Sequence, residues 1–141
     1  MKTYLSILLI EEDYHLQKLF LDVVYSVRGI NLCNVAGSSK AASNLLKLMY
    51  HLPDIIFLGF NISLKNAKLF LKKMKSSVST KHIPVIFLSE KSIGKINNGT
   101  TGIKMLSVRT NPSLVKTIKK SLESHLYRLQ EERSQQIQSS I

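Results

Sequence analysis

One short apolar run constrains the fold of this chain more than any other feature. After Pro53 the sequence reads Asp54 and then Ile-Ile-Phe-Leu-Gly-Phe, ending at Phe60. A continuous run of β-branched and aromatic residues behind a turn signal predicts a strand buried on both faces. Such strands are typical of the centre of a parallel sheet that helices cover on both sides. Open α/β sheets bind ligands at the end of such strands, and here that end carries Gly59, which has no side chain.

Apolar runs and helical patterns alternate along the rest of the chain. Further strands are predicted at residues 4–10, 30–35, 83–88 and 104–108, with amphipathic helices between them and at residues 112–129. Asp13 is predicted to cap the first helix and Gly29 to end it. Residues 90–103 are poor in structure signals, so a fourth helix there is expected to be short or frayed. The alternation predicts a flavodoxin-like three-layer α/β/α sandwich with right-handed crossovers.

Length and composition indicate one domain in a reducing compartment. The chain has 141 residues, 44% of them hydrophobic, and we expect a domain over residues 1–130 followed by a polar extension over residues 131–141. No apolar run approaches the ~18 residues of a membrane span. The short run before Glu11 does not resemble a signal peptide. Cys33 is the only cysteine, so a cytoplasmic protein without disulfides is expected, with Cys33 as a small buried hydrophobe.

The net charge of +11 is unevenly distributed. Five basic and five acidic residues balance up to residue 60, whereas fifteen basic residues face four acidic ones from residue 61 onward. Such asymmetry indicates an acidic partner, either a protein surface or a nucleic acid, although a solvated lysine surface would give the same count. No helix-turn-helix pattern is visible, and the lysines are not interleaved with aromatic residues. Nucleic acid is therefore the less favoured partner.

Four segments in this order make the chain similar to a known family. The segments are residues 7–13, with apolar residues running into an acidic cluster, residues 52–58, residues 81–89, with a terminal serine, and residues 102–109. Together they resemble the response regulator receiver domain of the CheY-like superfamily over roughly residues 5–127. The resemblance implies a five-stranded parallel sheet in the order 2-1-3-4-5.

The resemblance also implies a phosphorylation pocket. In the family, an aspartate at the end of the third strand accepts a phosphoryl group from a histidine kinase, and acids after the first strand hold the Mg²⁺ that neutralises it. Glu11 and Glu12 fall at the positions of those acids, and Gly59 falls at the position of the aspartate. Glycine has no nucleophile, so phosphorylation at this position is chemically excluded. The chain is therefore predicted to be a degenerate receiver, or pseudo-receiver.

The other pocket positions are only partly matched. The family places a hydroxyl residue after the fourth strand and a lysine after the fifth. Ser89 falls at the hydroxyl position, and either Arg109 or Val108 falls at the lysine position. Glu11 and Glu12 would then retain residual Mg²⁺ binding or, as the more favoured interpretation, form an acidic pair held by Arg109 or by solvent. No other cofactor is expected.

The predicted function is recognition of a protein. The sequence has no Gly-rich phosphate loop, no G-x-S-x-G motif and only four scattered histidines, so an enzyme is not expected. The resemblance implies a stand-alone receiver in two-component or phosphorelay signalling that acts as a protein-interaction module; a nucleic-acid-associated protein is the alternative. The expected partner is a signalling protein with an acidic surface, and a homodimer through the C-terminal helix stays open. The expected docking face is basic and comprises Lys91, Lys95, Lys104, Lys116, Lys119 and Lys120.

Overall fold

The computed structural model describes residues 5–59, 62–89 and 103–107, and positions 116, 119–120, 122–124, 127–128, 131–132 and 135. The elements in chain order are β1 (Leu5–Ile10), α1 (Tyr14–Tyr25), β2 (Ile30–Ala36), α2 (Ser39–Leu48), β3 (Ile55–Leu58), α3 (Leu64–Lys75), β4 (Val85–Ser89) and β5 (Ile103–Ser107). The described positions from 116 to 135 are helical and are called the C-terminal helical positions. Among the described helices, none has the length and hydropathy that crossing a membrane requires.

The five strands form one parallel sheet in the order β2-β1-β3-β4-β5. This is the α/β architecture that the sequence predicts, with the same order of strands. All six residues of β1 and all four of β3 are buried, because these strands lie inside the sheet and are covered on both faces. The continuous apolar runs in the sequence follow from that double coverage.

Helices pack on both faces of the sheet and divide the core into two layers. On one face, α1 packs against the sheet, and Phe20 meets Phe57 edge to face with ring centroids 4.9 Å apart. Leu122 is fully buried in the same layer, which places the C-terminal helical positions beside α1. On the other face, α2 and α3 contribute Ala42, Phe70 and other apolar side chains. These layers confirm a three-layer α/β/α arrangement.

Side-chain caps fix where the helices begin. The Asp13 carboxylate accepts hydrogen bonds from the backbone N–H groups of His15 at 2.8 Å and Leu16 at 3.2 Å, so the predicted N-cap is confirmed. Ser38 and Ser63 cap α2 and α3 in the same way through their hydroxyl oxygens. Each cap satisfies backbone donors that the first turn of a helix cannot satisfy by itself.

The predicted end of the first helix at Gly29 is wrong. The helix ends at Tyr25, because Ser26 folds back and donates from both its backbone N–H (3.1 Å) and its hydroxyl (2.6 Å) to the Val23 carbonyl. Gly29 instead occupies the turn before β2 with φ of 95°, a conformation that favours glycine. Its carbonyl accepts a hydrogen bond from the Leu5 N–H at 2.6 Å.

The strands differ from the predicted bounds by a few residues. The central strand covers only Ile55–Leu58, so Asp54 precedes it and Gly59 follows it. The fourth strand starts after Pro84, which has no N–H to donate, and the fifth starts at position 103 and ends at 107. The weak segment over residues 90–102 lies outside the described residues, and so does position 60.

Candidate functional site

The candidate site lies at the carboxyl edge of the sheet, where β1 and β3 end side by side. Ile10 pairs with Leu58 as the last pair of these strands, so Glu11 and Gly59 follow as neighbours. The Gly59 N–H donates to the Ile10 carbonyl at 2.7 Å, and the Glu11 N–H donates to the Ala36 carbonyl of β2 at 2.9 Å. The Glu11 side chain is buried, with only 1% of its surface exposed.

The Glu11 carboxyl group occupies the space that a side chain at position 59 would need. A Cβ atom built on Gly59 would lie 2.6 Å from Oε1 and 2.8 Å from Cδ of Glu11, and 2.8 Å from the Ile10 carbonyl oxygen. Non-bonded contacts this short do not occur around a Cβ atom, so even alanine would force the backbone or Glu11 to move. Although Gly59 has no side chain, the Glu11 carboxyl group and the Ile10 carbonyl oxygen therefore leave no empty space where its Cβ atom would lie.

Two contacts with the start of α1 hold the Glu11 residue in place. Oε2 of Glu11 accepts a hydrogen bond from the Asp13 N–H at 3.1 Å. The Gln17 amide nitrogen donates to the Glu11 backbone carbonyl at 2.6 Å. The positive end of a helix dipole stabilises a carboxylate at such a position. The position of Glu11 is thus set by α1 as well as by β1.

The structure brings together two of the five predicted pocket residues. Glu11 and Gly59 are in contact, whereas the side chain of Glu12 is exposed to solvent. Ser89 ends β4, where its backbone pairs with Ser107, and its side chain lies outside the described part of the structure. Arg109 and the alternative Val108 also lie outside it, so the predicted Arg109 contact with the acidic pair stays a prediction.

Sequence reasoning missed the contact between Glu11 and Gly59. The signal was present in two residues that follow adjacent parallel strands, a long acid on one and no side chain on the other. The summed volume of such a pair is similar to that of two shorter side chains, which makes the pair complementary. The complementary sizes of Glu11 and Gly59 become apparent only when the two positions are considered together.

The residues present do not fit the magnesium site that the family resemblance implies. Position 59 supplies no side-chain oxygen, and the Glu11 carboxylate is buried against Gly59 and the Asp13 N–H. Mg²⁺ requires a nearly octahedral set of oxygen ligands, with carboxylates supplying one or two of them. Within the described ranges, no group of three or more His, Cys, Asp or Glu side chains is placed to hold a metal ion.

Asp54, the residue before β3, has a carboxylate, but it lies at the opposite edge of the sheet from Gly59. Oδ2 of Asp54 accepts a hydrogen bond from the Ser6 N–H at 2.9 Å and from the Ser6 hydroxyl at 3.4 Å. A cavity of about 400 Å³ opens at this edge, and its lining includes Lys81, Pro84 and Arg128 as well as Asp54. Asp54 therefore has a structural contact, far from the edge where Gly59 lies.

Comparison with solved structures shows the fold of response regulator receiver domains. A phosphorylated cyanobacterial phytochrome response regulator, RcpA, superimposes with a TM-score of 0.71 at 20% sequence identity, covering 87% of this chain and 94% of its own. The Mn²⁺-bound response regulator Rcp1 gives 0.65 at 20% identity, with coverages of 82% and 90%. The chemotaxis response regulator CheY4 of Vibrio cholerae gives 0.68 at 16% identity, with coverages of 86% and 98%.

At these identities the likeness concerns the fold. No protein-family model matches the sequence, and no curated protein matches it either. The described residues have the CheY-like receiver fold, and the three solved structures named above are response regulators.

Proposed function

We propose that this chain is an atypical receiver domain of two-component signalling that is not phosphorylated at position 59 and acts by binding a partner protein. The single observation that supports this most directly is the Glu11 carboxyl group packed against Gly59. A receiver needs a carboxylate nucleophile at this position, reachable from solvent, to accept a phosphoryl group. Here the position has no nucleophile, and a buried side chain covers it.

The buried Glu11 carboxyl group also explains how such a domain would act without a switch. In a phosphorylatable receiver, the added charge biases an equilibrium between two conformations. The carboxyl group of Glu11 is part of the fold and cannot be added or removed by a kinase. The domain accordingly keeps one conformation, and we assign it no catalytic activity and no resident metal.

The basic C-terminal face is the proposed docking surface for a signalling partner with an acidic surface. Lys116, Lys119 and Lys120 are all exposed, with Glu123 as an exposed acid nearby. A symmetric contact between two copies would bring like charges together, which disfavours a homodimer through this face. Complementary charge on the partner would instead accelerate association. The side chains of Lys91, Lys95 and Lys104 lie outside the described residues.

The first test is phosphorylation by a small-molecule donor. Incubation of the protein with acetyl phosphate and Mg²⁺ is expected to leave its intact mass unchanged, because position 59 has no carboxylate. The cyanobacterial regulator RcpA, which has been solved in a phosphorylated form, is the control for the reagent. An added phosphoryl group that maps to the Glu11 and Gly59 edge would refute the proposal.

The second test concerns the docking face. Reversal of Lys116, Lys119 and Lys120 to glutamate is expected to weaken capture of the physiological partner from host extract, in nuclease-treated and untreated samples alike. The thermal midpoint should stay nearly unchanged, because these side chains are exposed. Association should also slow as salt shortens the Debye length below ~10 Å. Capture that disappears on nuclease treatment would point to nucleic acid instead.

A further inference from the structure

The surface formed by α2 and α3 carries positive charge without any acidic residue of its own. The two helices contain seven lysines and no Asp or Glu: Lys40 and Lys47 in α2, and Lys65, Lys68, Lys72, Lys73 and Lys75 in α3. From residue 37 to residue 89 the only acid is Asp54, which bonds to Ser6 at the amino edge of the sheet. The helices themselves therefore provide no acid to neutralise this face.

A groove runs between the two helices on this face. One depression of about 470 Å³ lies among Ser39, Lys40, Leu69 and Lys72, and a second of about 290 Å³ lies among Leu46, Lys47, Ser77 and Ser79. The two depressions share the residues Ser43, Phe70, Lys73 and Ser76. The shared lining residues show that the two depressions adjoin, and together they are called the α2–α3 groove, which has lysines from both helices in its lining.

The groove combines exposed lysines with one exposed apolar side chain, that of Leu69. Lys40, Lys72 and Lys73 are exposed to solvent. Leu69 lines the groove with 56% of its surface exposed, and the buried Phe70 lies beside it. An exposed leucine between lysines matches a ligand that offers both apolar contact and negative charge.

The lysines and the exposed Leu69 together favour an acidic protein over a nucleic acid as the ligand of this groove. A nucleic acid backbone would use the lysines, but it would leave the exposed Leu69 surface without an apolar partner. Base stacking needs an accessible aromatic ring, and the aromatic ring in the groove lining, Phe70, is only 3% exposed. An amphipathic helix with an acidic rim satisfies both features, since its apolar face covers Leu69 while its carboxylates reach the lysines.

We propose that the α2–α3 groove binds an acidic amphipathic helix of a partner protein. The ten residues of α2 give the groove a length of about 15 Å, which corresponds to about ten helical residues of the partner. The groove is a second interaction surface, separate from the C-terminal face. It depends on α2 and α3 and not on the chemistry at position 59.

Fluorescence anisotropy of a dye-labelled synthetic peptide tests this proposal. The probe is a helix-forming peptide of about 12 residues with leucines at i, i+3, i+4 and i+7 and glutamates on both flanks. A peptide with serines in place of the leucines and a duplex DNA are the comparison probes. The leucine peptide is expected to bind at least about tenfold more tightly than the serine peptide, because only it can cover the exposed Leu69 with apolar side chains.

Two pairs of variants locate the binding surface. The variant K40E/K72E/K73E is expected to lose at least about tenfold in affinity, whereas K116E/K119E/K120E, with the same charge change on another face, should stay within about twofold. Leu69→Ser should weaken binding about fivefold. Leu48→Ser is its control, because Leu48 is 85% exposed and does not line the groove.

Four outcomes would overturn the proposal. These are failure of the leucine peptide to bind, equal binding of the leucine and serine peptides, tighter binding of the duplex, and equal losses in the two charge-reversal variants. If the α2–α3 reversal variant fails to fold by circular dichroism, the comparison of Leu69→Ser with Leu48→Ser decides. None of these outcomes bears on the acetyl phosphate experiment, so the two proposals fail independently.

Discussion

A carboxyl group lies between β1 and β3 at each end of β3. The carboxyl group at the amino end comes from the residue before β3, and the one at the carboxyl end comes from the residue after β1. At the amino end, Asp54 next to β3 accepts hydrogen bonds from Ser6 of β1. At the carboxyl end, Glu11 after β1 packs its carboxyl group against Gly59 after β3. The first arrangement is polar and partly exposed, whereas the second is buried and sterically tight.

Whether a residue can take part in a ligand site depends on the edge of the sheet at which it lies as well as on its side chain. Asp54 has the functional group of a phosphoryl acceptor, but it lies at the edge where parallel α/β sheets do not place their ligand sites. Gly59 lies at the edge where such sites form and has no functional group. Substitutions at the two ends should therefore differ in size and in cause.

The largest effect is expected from Gly59→Asp. The new side chain would overlap Glu11 and the Ile10 carbonyl oxygen, and it would place a second carboxylate beside a buried one. We expect the free energy of unfolding to fall by about 3 kcal/mol, and by about 1–2 kcal/mol for Gly59→Ala. Urea denaturation measures both values.

A double-mutant cycle with Glu11→Ala tests the cause of that loss. Removal of the Glu11 side chain should recover part of the stability that Gly59→Asp removes, because the overlap with the Ile10 carbonyl stays. We expect a coupling of about 1 kcal/mol or more. Additive effects of the two substitutions would show that the two side-chain positions do not compete for the same space.

At the amino end, Asp54→Ala should cost about 2 kcal/mol, because the Ser6 N–H and hydroxyl would lose a charged acceptor. Asp54→Asn keeps one acceptor oxygen and should cost about half as much. Asp22, which is exposed on α1, provides the matched control through Asp22→Ala. If the Asp54→Ala variant had the urea midpoint of the wild type, the hydrogen bonds from Ser6 to Asp54 would not contribute to stability.

A smaller effect is expected from Gln17→Ala. This substitution removes the 2.6 Å hydrogen bond from the Gln17 amide to the Glu11 carbonyl and leaves the Glu11 side chain intact. We expect a loss of about 1 kcal/mol in urea denaturation. Lys18→Ala on the exposed side of α1 is the control, since alanine is a good helix former there. Equal losses in the two variants would mean that the hydrogen bond contributes nothing.

The smallest expected signal concerns Cys33, which lies on β2. Burial raises the pKa of the Cys33 thiol to about 12, whereas an unfolded cysteine titrates near a pKa of about 8.5. The protonated thiol therefore favours the fold fully below pH ~8.5, and this contribution is lost as the pH rises toward 12. At pH 8 a thiol-specific disulfide reagent should modify Cys33 slowly, and faster in Gly59→Asp. Equal rates for the folded chain and the urea-unfolded chain would contradict the buried position.

Much of the fold could be predicted, because its determinants are local in the sequence. The apolar runs of β1 and β3 indicate double coverage, and Asp13 caps α1 as its position indicates. The end of α1 could not be predicted from Gly29, since Ser26 ends the helix through its own hydroxyl and backbone hydrogen bonds to Val23. A serine in a helical pattern does not reveal by itself which carbonyl its side chain will bond.

The candidate site was predictable only in part, because it depends on a contact between distant segments. The absence of a nucleophile at Gly59 is readable from one residue once the strand is assigned. The burial of Glu11 against it is not, since 48 positions separate the two residues and the sequence does not state their distance. Glu11 and Glu12 look equivalent in the sequence, and only the sheet shows that one is buried and the other exposed.

The fit between Glu11 and Gly59 also fixes the order in which the two positions can change. A chain that acquires a side chain at position 59 first must pass through a strained intermediate, because Glu11 and the Ile10 carbonyl occupy the volume. A chain that first shortens Glu11 opens that volume and can then accept an aspartate more easily. Gain of an aspartate at position 59 is therefore a two-step path with a preferred first step, and selection for stability alone acts against the single substitution Gly59→Asp.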